Sequence, residues 1–595
     1  MAQPSATSDR DLASMHEART LARRAKEAAP ALAELSQAQI DAIVDAMAAA
    51  VTPQAEALAT LAHEETGFGV IADKVQKNLF ASEKIYQFIR PMKTVGVINR
   101  IADRKIIEIA EPFGVVAAIV PSTNPTSTAI YKILIAIKAR CPIVLSPHPS
   151  AARCITRVAE LMHGAARTAG CPDGTINWMQ TVSLEGTQEL MKARETAVIL
   201  ATGGMGLVRA AYSAGKPAYG VGPGNAPAYI ERTADLAKAV RDIITGKTFD
   251  NGLLCSSENS VVVDAPLAEE AKRLFAAEGA HFLSAAERDT LAKLLVTPQR
   301  LPNPALVGRP ATYIAQQAGI AVAPGTRVLI AELTGVGRDF PLSIEKLCPV
   351  LSFYVVNDWK EGCERCKQIL RYGGMGHTMS IHSRNDDVIL EFGLKKPAFR
   401  IIVNSPTTLG SIGLTTGLDP SMTLGCGGYG GNITSDNISP KHLLNIKRVA
   451  YETTPAASLR PPTRPAASAA DLPKAPAPPR TVRGVGAASL ALRIDEFLAS
   501  RGYTPPVGGP APGPVAAPPA AAPAPTTAPA AASAPKPPAP PAPVEKPTDF
   551  VCEDDVRQAM RQGRTILIGE KTIVTPAARD LAEAHKILVQ AGWPR

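Results

Sequence analysis

Residues 111–149 read EPFGVVAAIVPSTNPTSTAIYKILIAIKARCPIVLSPHP, and this stretch decides the fold class. Its residues 114–120 form a continuous apolar run rich in β-branched side chains, which is typical of a strand buried on both faces of a parallel sheet. Helical periodicity follows at residues 131–138, and a second strand is predicted at 143–145. This order of strand, helix and strand predicts a doubly wound α/β fold.

The same alternation continues on both sides of that stretch. Residues 94–99 and 105–110 are strand-like and flank a short polar turn, so they predict a β-hairpin. A second α/β region begins near residue 228, with a predicted strand at 261–263 and a predicted helix at 267–275. Near the N-terminus, apolar residues at helical spacing predict an amphipathic helix: Ile40, Ile43, Val44, Met47 and Val51.

The chain changes character after residue 451. Residues 504–547 contain 17 prolines and 14 alanines but no aromatic residue, so they predict a semi-extended linker that buries no core. A less biased segment, residues 485–503, precedes this linker. Four of its apolar side chains recur at i, i+4, i+7 and i+8 and predict a short amphipathic helix: Leu490, Ile494, Phe497 and Leu498.

Residues 549–595 form a second such segment at the end of the chain. Residues 556–560 have helical spacing, and two strand-like runs follow at 565–568 and 571–574. Thr575 and Pro576 then supply an N-cap and a first-turn proline for another helix. A small partner-binding module is therefore predicted here.

The composition excludes several classes of protein. There is no run of about 18 apolar residues and no apolar segment near the N-terminus, so neither a membrane span nor a secretory signal is expected. Nine cysteines without regular spacing favour a reducing cytosol over a disulfide scaffold. The net charge of +9 is spread along the chain without a basic block, so nucleic acid is not an expected partner.

Residues 249–258, FDNGLLCSSE, contain the candidate nucleophile Cys255. Small and polar neighbours, with Gly252 just upstream, suit a thiol presented on a tight loop. A buried, unreactive cysteine is the commoner outcome for a single Cys and fits the local sequence better. Cys363 and Cys366 have C-x-x-C spacing without a second pair, so a pair on a helix surface is expected rather than a metal site.

Two loops that follow predicted strands contain residues that could take part in catalysis or cofactor binding. Asn124 ends a loop that follows the strand at 114–120, and its amide could stabilise an oxyanion in a cleft, although Asn-Pro alone is only a turn signal. Residues 201–206, ATGGMG, follow a predicted strand at 197–200. Glycines in that position let a dinucleotide approach the backbone, although the pattern is not G-x-G-x-x-G and a plain tight turn is the alternative.

Taken together, these segments resemble the aldehyde dehydrogenase superfamily, and more closely its CoA-acylating branch. The resemblance covers about residues 11–452. The further motifs that carry it are YGVGPGNAPAYIE at 219–231, EKLCPVLSFY at 345–354 and GGMGHTMSIHS at 373–383. It implies two doubly wound parallel-sheet domains, a β oligomerisation element and a homodimer or homotetramer.

The resemblance also implies roles for individual residues. Cys255 would attack the aldehyde, Asn124 and the Cys255 backbone N–H would hold the oxyanion, and hydride transfer to NAD would leave a thioester for coenzyme A. His377 would assist the CoA thiol, although a structural histidine fits its Gly-rich turn equally well. The residues implied in cofactor binding are Pro121, Ser122, Thr123, Ser146, Pro147, His148, Thr202, Gly203, Gly204, Gly222 and Glu345.

One departure from the hydrolytic branch of the superfamily favours CoA over water as the acyl acceptor. Hydrolytic members carry a glutamate that activates water, in a motif that aligns with Gly220–Pro223 here. No Asp or Glu lies between Tyr219 and Ile230. Without that base, water attack on a thioester is expected to be slow, whereas a thiol can still react.

The resemblance divides the chain into a series of regions. The predicted regions are a cofactor-binding domain at 11–227 with an oligomerisation hairpin at about 92–112, a catalytic domain at 228–424, an oligomerisation segment at 425–452, a linker at 453–484, the amphipathic helix at 485–503, the Ala/Pro-rich linker at 504–548 and the small module at 549–595.

The family includes enzymes of bacterial microcompartments, so the helix at 485–503 resembles an encapsulation peptide that docks on shell proteins. The expected function is oxidation of propanal or ethanal to the acyl-CoA inside such a compartment in the cytoplasm. An unimportant linker patch is the alternative for the helix. For the whole chain, the alternatives are a hydrolytic dehydrogenase giving the free acid and a scaffold protein that carries modules to the shell.

Overall fold

The N-terminal part of the chain is helical in the structure, a computed structural model that describes residues 9–456, 486–501, 548–585 and 587–590. Its helices are α1 (Asp9–Ala33), α2 (Gln37–Val51), α3 (Ala55–Thr66), α4 (Ile71–Leu79) and α5 (Tyr86–Ile89), with a π-helical turn at Phe80–Ile85. A capping box between Ser36 and Gln39 starts α2. The predicted apolar stripe of α2 is confirmed, because it is buried in the main core.

The predicted hairpin is confirmed as the antiparallel pair β1 (Gly96–Ile101) and β2 (Ile106–Pro112). A five-stranded parallel sheet follows, with strand order β5-β4-β3-β6-β7. Its elements are β3 (Val115–Val120), α6 (Pro125–Lys138), β4 (Ile143–Pro147), α7 (Ala152–Thr168), β5 (Ile176–Trp178), α8 (Leu184–Lys192), β6 (Thr196–Thr202), α9 (Met205–Tyr212) and β7 (Ala218–Val221).

The central strand β3 shows why its sequence is apolar at every position. Val116, Ala118 and Val120 pack into one core with α2 and α6, while the alternate residues pack into a second core with α1. Side chains alternate between the two faces of a strand, so both faces of this sheet are covered.

The second half of the body contains a seven-stranded parallel sheet, with strand order β10-β11-β12-β9-β8-β13-β14. Its elements are β8 (Ala226–Ile230), α10 (Leu236–Thr248), β9 (Glu258–Asp264), α11 (Ala268–Ala277), β10 (Ala280–Phe282), α12 (Ala285–Leu295), α13 (Ala311–Gln317), β11 (Val328–Glu332), β12 (Val350–Val356), α14 (Trp359–Gly373), β13 (Gly376–His382), α15 (Asp386–Lys395), β14 (Ala398–Val403) and α16 (Thr407–Ser411). β15 (Leu444–Ala450) then pairs antiparallel with β2 and completes a three-stranded sheet. The predicted α/β class with two parallel sheets and an added β element is confirmed.

The contacts assign Met1–Ala466 to one unit and Ala467–Arg595 to a second. The described residues of the second unit contain α17 (Ala487–Ser500) and a small parallel sheet, β16-β17-β18. The elements of the sheet region are β16 (Thr548–Val551), α18 (Glu553–Gln562), β17 (Ile566–Val574), α19 (Pro576–His585) and β18 (Leu588–Gln590). The prediction of two strands at 565–568 and 571–574 is wrong, because both runs belong to the single strand β17. The predicted linkers lie outside the described residues except at their ends.

Candidate active site

A cavity of about 470 Å³ lies where the carboxyl ends of β3, β4 and β6 meet the loop that precedes β9. These three strands are neighbours in one parallel sheet, so the loops that follow them converge at one edge. The structure brings together here most of the residues singled out from the sequence: Cys255, Asn124, Pro121, Ser122, Thr123, Pro147, His148, Thr202, Gly203, Gly204, Gly222 and Glu345.

The loop that carries Cys255 has an unusual backbone. Asp250, Asn251 and Gly252 have φ values of +48°, +53° and +73°. Asp, Asn and Gly are the residues that enter this left-handed region at least cost, which explains the sequence of the loop. Gly224 packs against the same loop, and a Cβ there would stand 2.0 Å from the Cys255 carbonyl oxygen. The backbone that carries the Cys255 thiol therefore leaves no room for a side chain at Gly224.

Cys255 and His377 form a hydrogen-bonded pair. The Cys255 Sγ lies 3.2 Å from His377 Nε2, and His377 Nδ1 lies 2.9 Å from the hydroxyl of Thr378. His377 is the second residue of β13 and is completely buried, whereas the cysteine is partly exposed to the cavity. The geometry allows direct proton transfer between the thiol and the imidazole.

Burial sets the charge state of this pair. It raises the pKa of Cys255 to about 12, with Glu345 adding to the rise. It lowers the pKa of His377 to about 3, and the guanidinium of Arg400 acts in the same direction. At neutral pH the pair is therefore a neutral thiol beside a neutral imidazole, which can accept the thiol proton as the sulfur attacks.

Asn124 belongs to a buried polar network that the sequence reasoning missed. Its Oδ1 accepts a hydrogen bond from Lys77 Nζ at 2.6 Å, and Lys77 is ion-paired with Asp250. Its Nδ2 lies 3.2 Å from Thr123 Oγ1 and 3.5 Å from the carbonyl oxygen of Leu253. The network joins the loop after β3 to α4 and to the loop before Cys255, and its sequence signal is a pair of lysines three residues apart on α4.

The cofactor end of the cavity fits a dinucleotide. The hydroxyl of Thr202 is buried without a hydrogen-bond partner among the described residues, and a Cβ at Gly204 would meet no atom within 4 Å. This bare backbone after β6 leaves room for a ligand that could also satisfy the hydroxyl. Glu345 accepts the N–H of Gly224 at 2.9 Å, and burial raises the pKa of its carboxyl to about 8.

Two sequence expectations turn out differently in the structure. Ser146 is buried in β4 and is not among the residues that line the cavity, and its Oγ lies 2.8 Å from Oγ1 of Thr187 on α8. His377 is not a lining residue, but its ring lies next to the cavity, 3.2 Å from the Cys255 sulfur, and its role stays a prediction. Cys363 and Cys366 lie on α14 as expected, but both are buried, so the surface placement is wrong. Among the described residues, no group of three metal-ligating side chains is present.

Comparison with known proteins agrees with this site. The family model for the aldehyde dehydrogenase family matches residues 5–289. The fold and the site thus define an aldehyde dehydrogenase. No helix among the described residues is long and apolar enough to cross a membrane.

Related proteins show which branch of the aldehyde dehydrogenases the chain resembles. The bifunctional aldehyde-alcohol dehydrogenase AdhE of Escherichia coli is 42% identical over 439 residues, which are 73% of this chain and 49% of that protein. The chain thus spans about half the length of that relative. The acetylating succinate-semialdehyde dehydrogenase of Clostridium kluyveri is 38% identical over 433 residues, 72% of this chain and 95% of that protein.

Solved structures of CoA-acylating enzymes are also similar to the chain. An acetylating aldehyde dehydrogenase from Geobacillus thermoglucosidasius has 48% identity and a TM-score of 0.74, over 75% of this chain and 98% of that one. A propionaldehyde dehydrogenase from the fucose utilisation microcompartment of Clostridium phytofermentans has 28% identity and a TM-score of 0.66, over 72% of this chain and 96% of that one. The chain belongs to the acetylating, or CoA-acylating, aldehyde dehydrogenases.

Proposed function

We propose that this protein oxidises a short, neutral aldehyde with NAD and coenzyme A to the acyl-CoA, through a thioester on Cys255. The observation that carries the proposal is the Cys255–His377 pair at 3.2 Å, whose cysteine lines the same cavity as Asn124. Membership of the CoA-acylating family supports it.

The residues of the chain account for the chemistry of the first half-reaction. The neutral His377 accepts the thiol proton as the Cys255 sulfur attacks the aldehyde carbonyl. The carbonyl oxygen becomes an oxyanion, which the Asn124 amide and the Cys255 backbone N–H stabilise. Thr202, Gly203, Gly204 and Glu345 would hold the nicotinamide cofactor, which supplies the hydride acceptor when bound. Loss of hydride from the hemithioacetal carbon leaves the thioester.

The second half-reaction transfers the acyl group. After His377 has released the first proton to solvent, it accepts the proton of the CoA thiol as the sulfur attacks the thioester carbonyl, and it returns this proton to the Cys255 thiolate when that group leaves. Glu345 is the one carboxylate among the described residues that line the cavity, and it is bound to the Gly224 N–H. No second carboxylate is therefore at hand to activate water, which favours a thiol as acceptor.

The cavity lining supports a neutral substrate. The described lining residues include no lysine or arginine, and several apolar side chains line the same cavity as Cys255: Leu253, Leu254, Ile412, Met422 and Leu424. An anionic aldehyde would leave its charge without a partner in this lining. Propanal and ethanal fit the lining better than succinate semialdehyde does.

The test is NADH formation with propanal, ethanal and succinate semialdehyde, each with and without CoA. The proposal requires CoA-dependent NADH with the two neutral aldehydes and at least tenfold lower kcat/KM with the anionic one. Equal rates with and without CoA would show that water is the acceptor. Replacing NAD with NADP in the same assay checks the cofactor.

We further propose that α17 anchors the enzyme inside a bacterial microcompartment by docking on shell proteins. Its apolar stripe is exposed, with Leu490 at 54% and Phe497 at 59%, and a structural neighbour comes from such a compartment. An exposed stripe on a short helix is typical of helices that bind in a groove. The test is co-sedimentation of the full chain with assembled shells, before and after Phe497→Glu. Equal recovery of both proteins would contradict the proposal.

A homodimer or homotetramer is proposed through the three-stranded sheet. Its two outer strands, β1 and β15, expose Val97 and Val449, each at 41%. Unpaired strand edges with exposed apolar side chains are suited to contacts between copies of a chain. Light scattering of wild type and Val97→Glu gives the oligomeric state and tests this surface.

A further inference from the structure

Two buried lysines contact the loops that carry Asn124 and Cys255. Lys74 and Lys77 are on α4, and each side chain is 3% exposed. Both are ion-paired with Asp250, whose carboxylate is completely buried. Burying a charge costs free energy unless the charge is paired and hydrogen-bonded, so packing alone does not explain this cluster.

The two lysines differ in one contact. Lys74 Nζ lies 3.0 Å from Asp250 Oδ2, and no contact with Asn124 is found for it. Lys77 contacts the same carboxylate and also donates to Asn124 Oδ1 at 2.6 Å. Lysine can only donate, so this bond requires the oxygen of the Asn124 amide to face α4. The amide nitrogen then faces the loop that leads to Cys255, 3.5 Å from the Leu253 carbonyl.

Asp250 is itself held firmly. Its Oδ1 accepts the N–H of Val70 at 2.7 Å, and its own N–H donates to Asp73 Oδ2 at 2.7 Å. Gly69 lets the chain pass so closely that a Cβ there would stand 2.0 Å from Asp250 Oδ1. The carboxylate that holds Lys77 is thereby fixed against the start of α4.

We propose that Lys77 is a positioning residue for the reaction: it holds the Asn124 amide with its N–H groups toward the oxyanion and strengthens them as donors. The inference rests on the proposed function. An amide turned the other way would present an oxygen to the oxyanion and oppose the reaction. A cation on the amide oxygen also draws electrons from its nitrogen and makes the N–H groups better donors.

The charge of Lys77 gives the inference a pH signature. Burial lowers the pKa of its ammonium to about 8, with Lys74 acting in the same direction and Asp250 and Asp73 opposing it. The lysine is therefore charged below about pH 8 and neutral above it. A neutral amine can still donate one hydrogen bond, so orientation persists at high pH while the added donor strength is lost.

The experiment compares Lys77→Met with Lys74→Met. Both changes remove one buried ammonium from Asp250, but only the first removes a contact with Asn124. Two readouts are used: the first turnover of NADH in stopped flow, and acylation of Cys255 by propionyl-CoA followed by intact mass, which needs no nicotinamide. We expect Lys77→Met to slow both by about tenfold or more, because an oxyanion donor is worth about a hundredfold or more. Lys74→Met should change neither by more than about threefold.

Lys77→Gln separates orientation from charge. Its amide can still donate to Asn124 but carries no charge. We expect rates between those of wild type and Lys77→Met, and loss of the decline in rate that is expected for wild type above about pH 8. If Lys77→Met fails to fold, this variant still tests the inference through its pH profile.

A double mutant distinguishes positioning from general damage. In an Asn124→Ala background, Lys77→Met should cost less than about twofold more, because the group it positions is already gone. Equal losses for Lys77→Met and Lys74→Met, or full additivity with Asn124→Ala, would overturn the inference while leaving the proposed function intact. A wild type that is inactive in both readouts would overturn the proposed function and this inference with it.

Discussion

Helices α2 and α17 carry the same kind of apolar stripe, yet their surroundings differ completely. In α2, Ile40 and Met47 are 0% exposed and pack in the main core. In α17, Leu490 and Phe497 are 54% and 59% exposed. An apolar stripe at helical spacing therefore predicts that the stripe packs against another protein surface, but not whether that surface belongs to the same chain. This difference fits the proposed division, in which the body that contains α2 carries out catalysis and the tail that contains α17 attaches to a partner.

The largest expected effect tests this division with two cysteines. Cys255→Ala removes the nucleophile and should lower kcat for NADH formation by at least about a thousandfold, since Cys255 is the one cysteine among the described residues that line the cavity. The matched control is Cys552→Ala in the tail, a partly exposed cysteine outside the cavity. Its kcat should equal that of wild type within experimental error. A similar loss in both variants would mean that the tail takes part in catalysis.

The two stripes should also differ in what their side chains contribute to stability. Met47→Ala removes a fully buried side chain and should lower the free energy of unfolding by about 2–5 kcal/mol. Phe497→Ala changes an exposed side chain and should stay within about 0.5 kcal/mol. Urea unfolding of the full chain, followed by tryptophan fluorescence, measures both. A loss above 1.5 kcal/mol, well outside that expected range, for Phe497→Ala would show that α17 is packed against its own chain.

The core of the body and the outline of the site could be predicted from sequence, because the signals are local. The apolar run of β3, the glycines after β6 and the loop around Cys255 each occupy a few consecutive residues. Lys77 could not be assigned, because its partner Asp250 lies 173 positions along the chain. The burial of Cys363 was also missed, since periodicity on a helix does not tell which neighbour packs against it.

A smaller effect concerns pH. An ordinary histidine is protonated below about pH 6.5 and then no longer acts as a base. Burial lowers the pKa of His377 to about 3, so it remains neutral throughout the weakly acidic range. We expect kcat/KM to show no fall centred near pH 6.5 between pH 5.5 and 7.5. A fall with that midpoint, abolished in His377→Gln, would contradict the neutral pair.

The smallest expected change in rate comes from removing the tail. A chain ending at residue 452 should keep its kcat within about twofold, because every described residue that lines the cavity lies before that point. The same chain should no longer co-sediment with assembled shells. A loss of activity with the fold intact, shown by an unchanged circular dichroism spectrum, would overturn the division between body and tail.

The measurement that tests the central claim most directly is the mass of the protein during its first turnover. Wild type mixed with propanal and NAD, without CoA, should gain one propionyl group on the peptide that contains Cys255. CoA added afterwards should release that group at least a hundredfold faster than buffer alone. NADH formation without an acylated Cys255 would contradict the thioester route, and equal release by buffer and CoA would replace CoA transfer with hydrolysis.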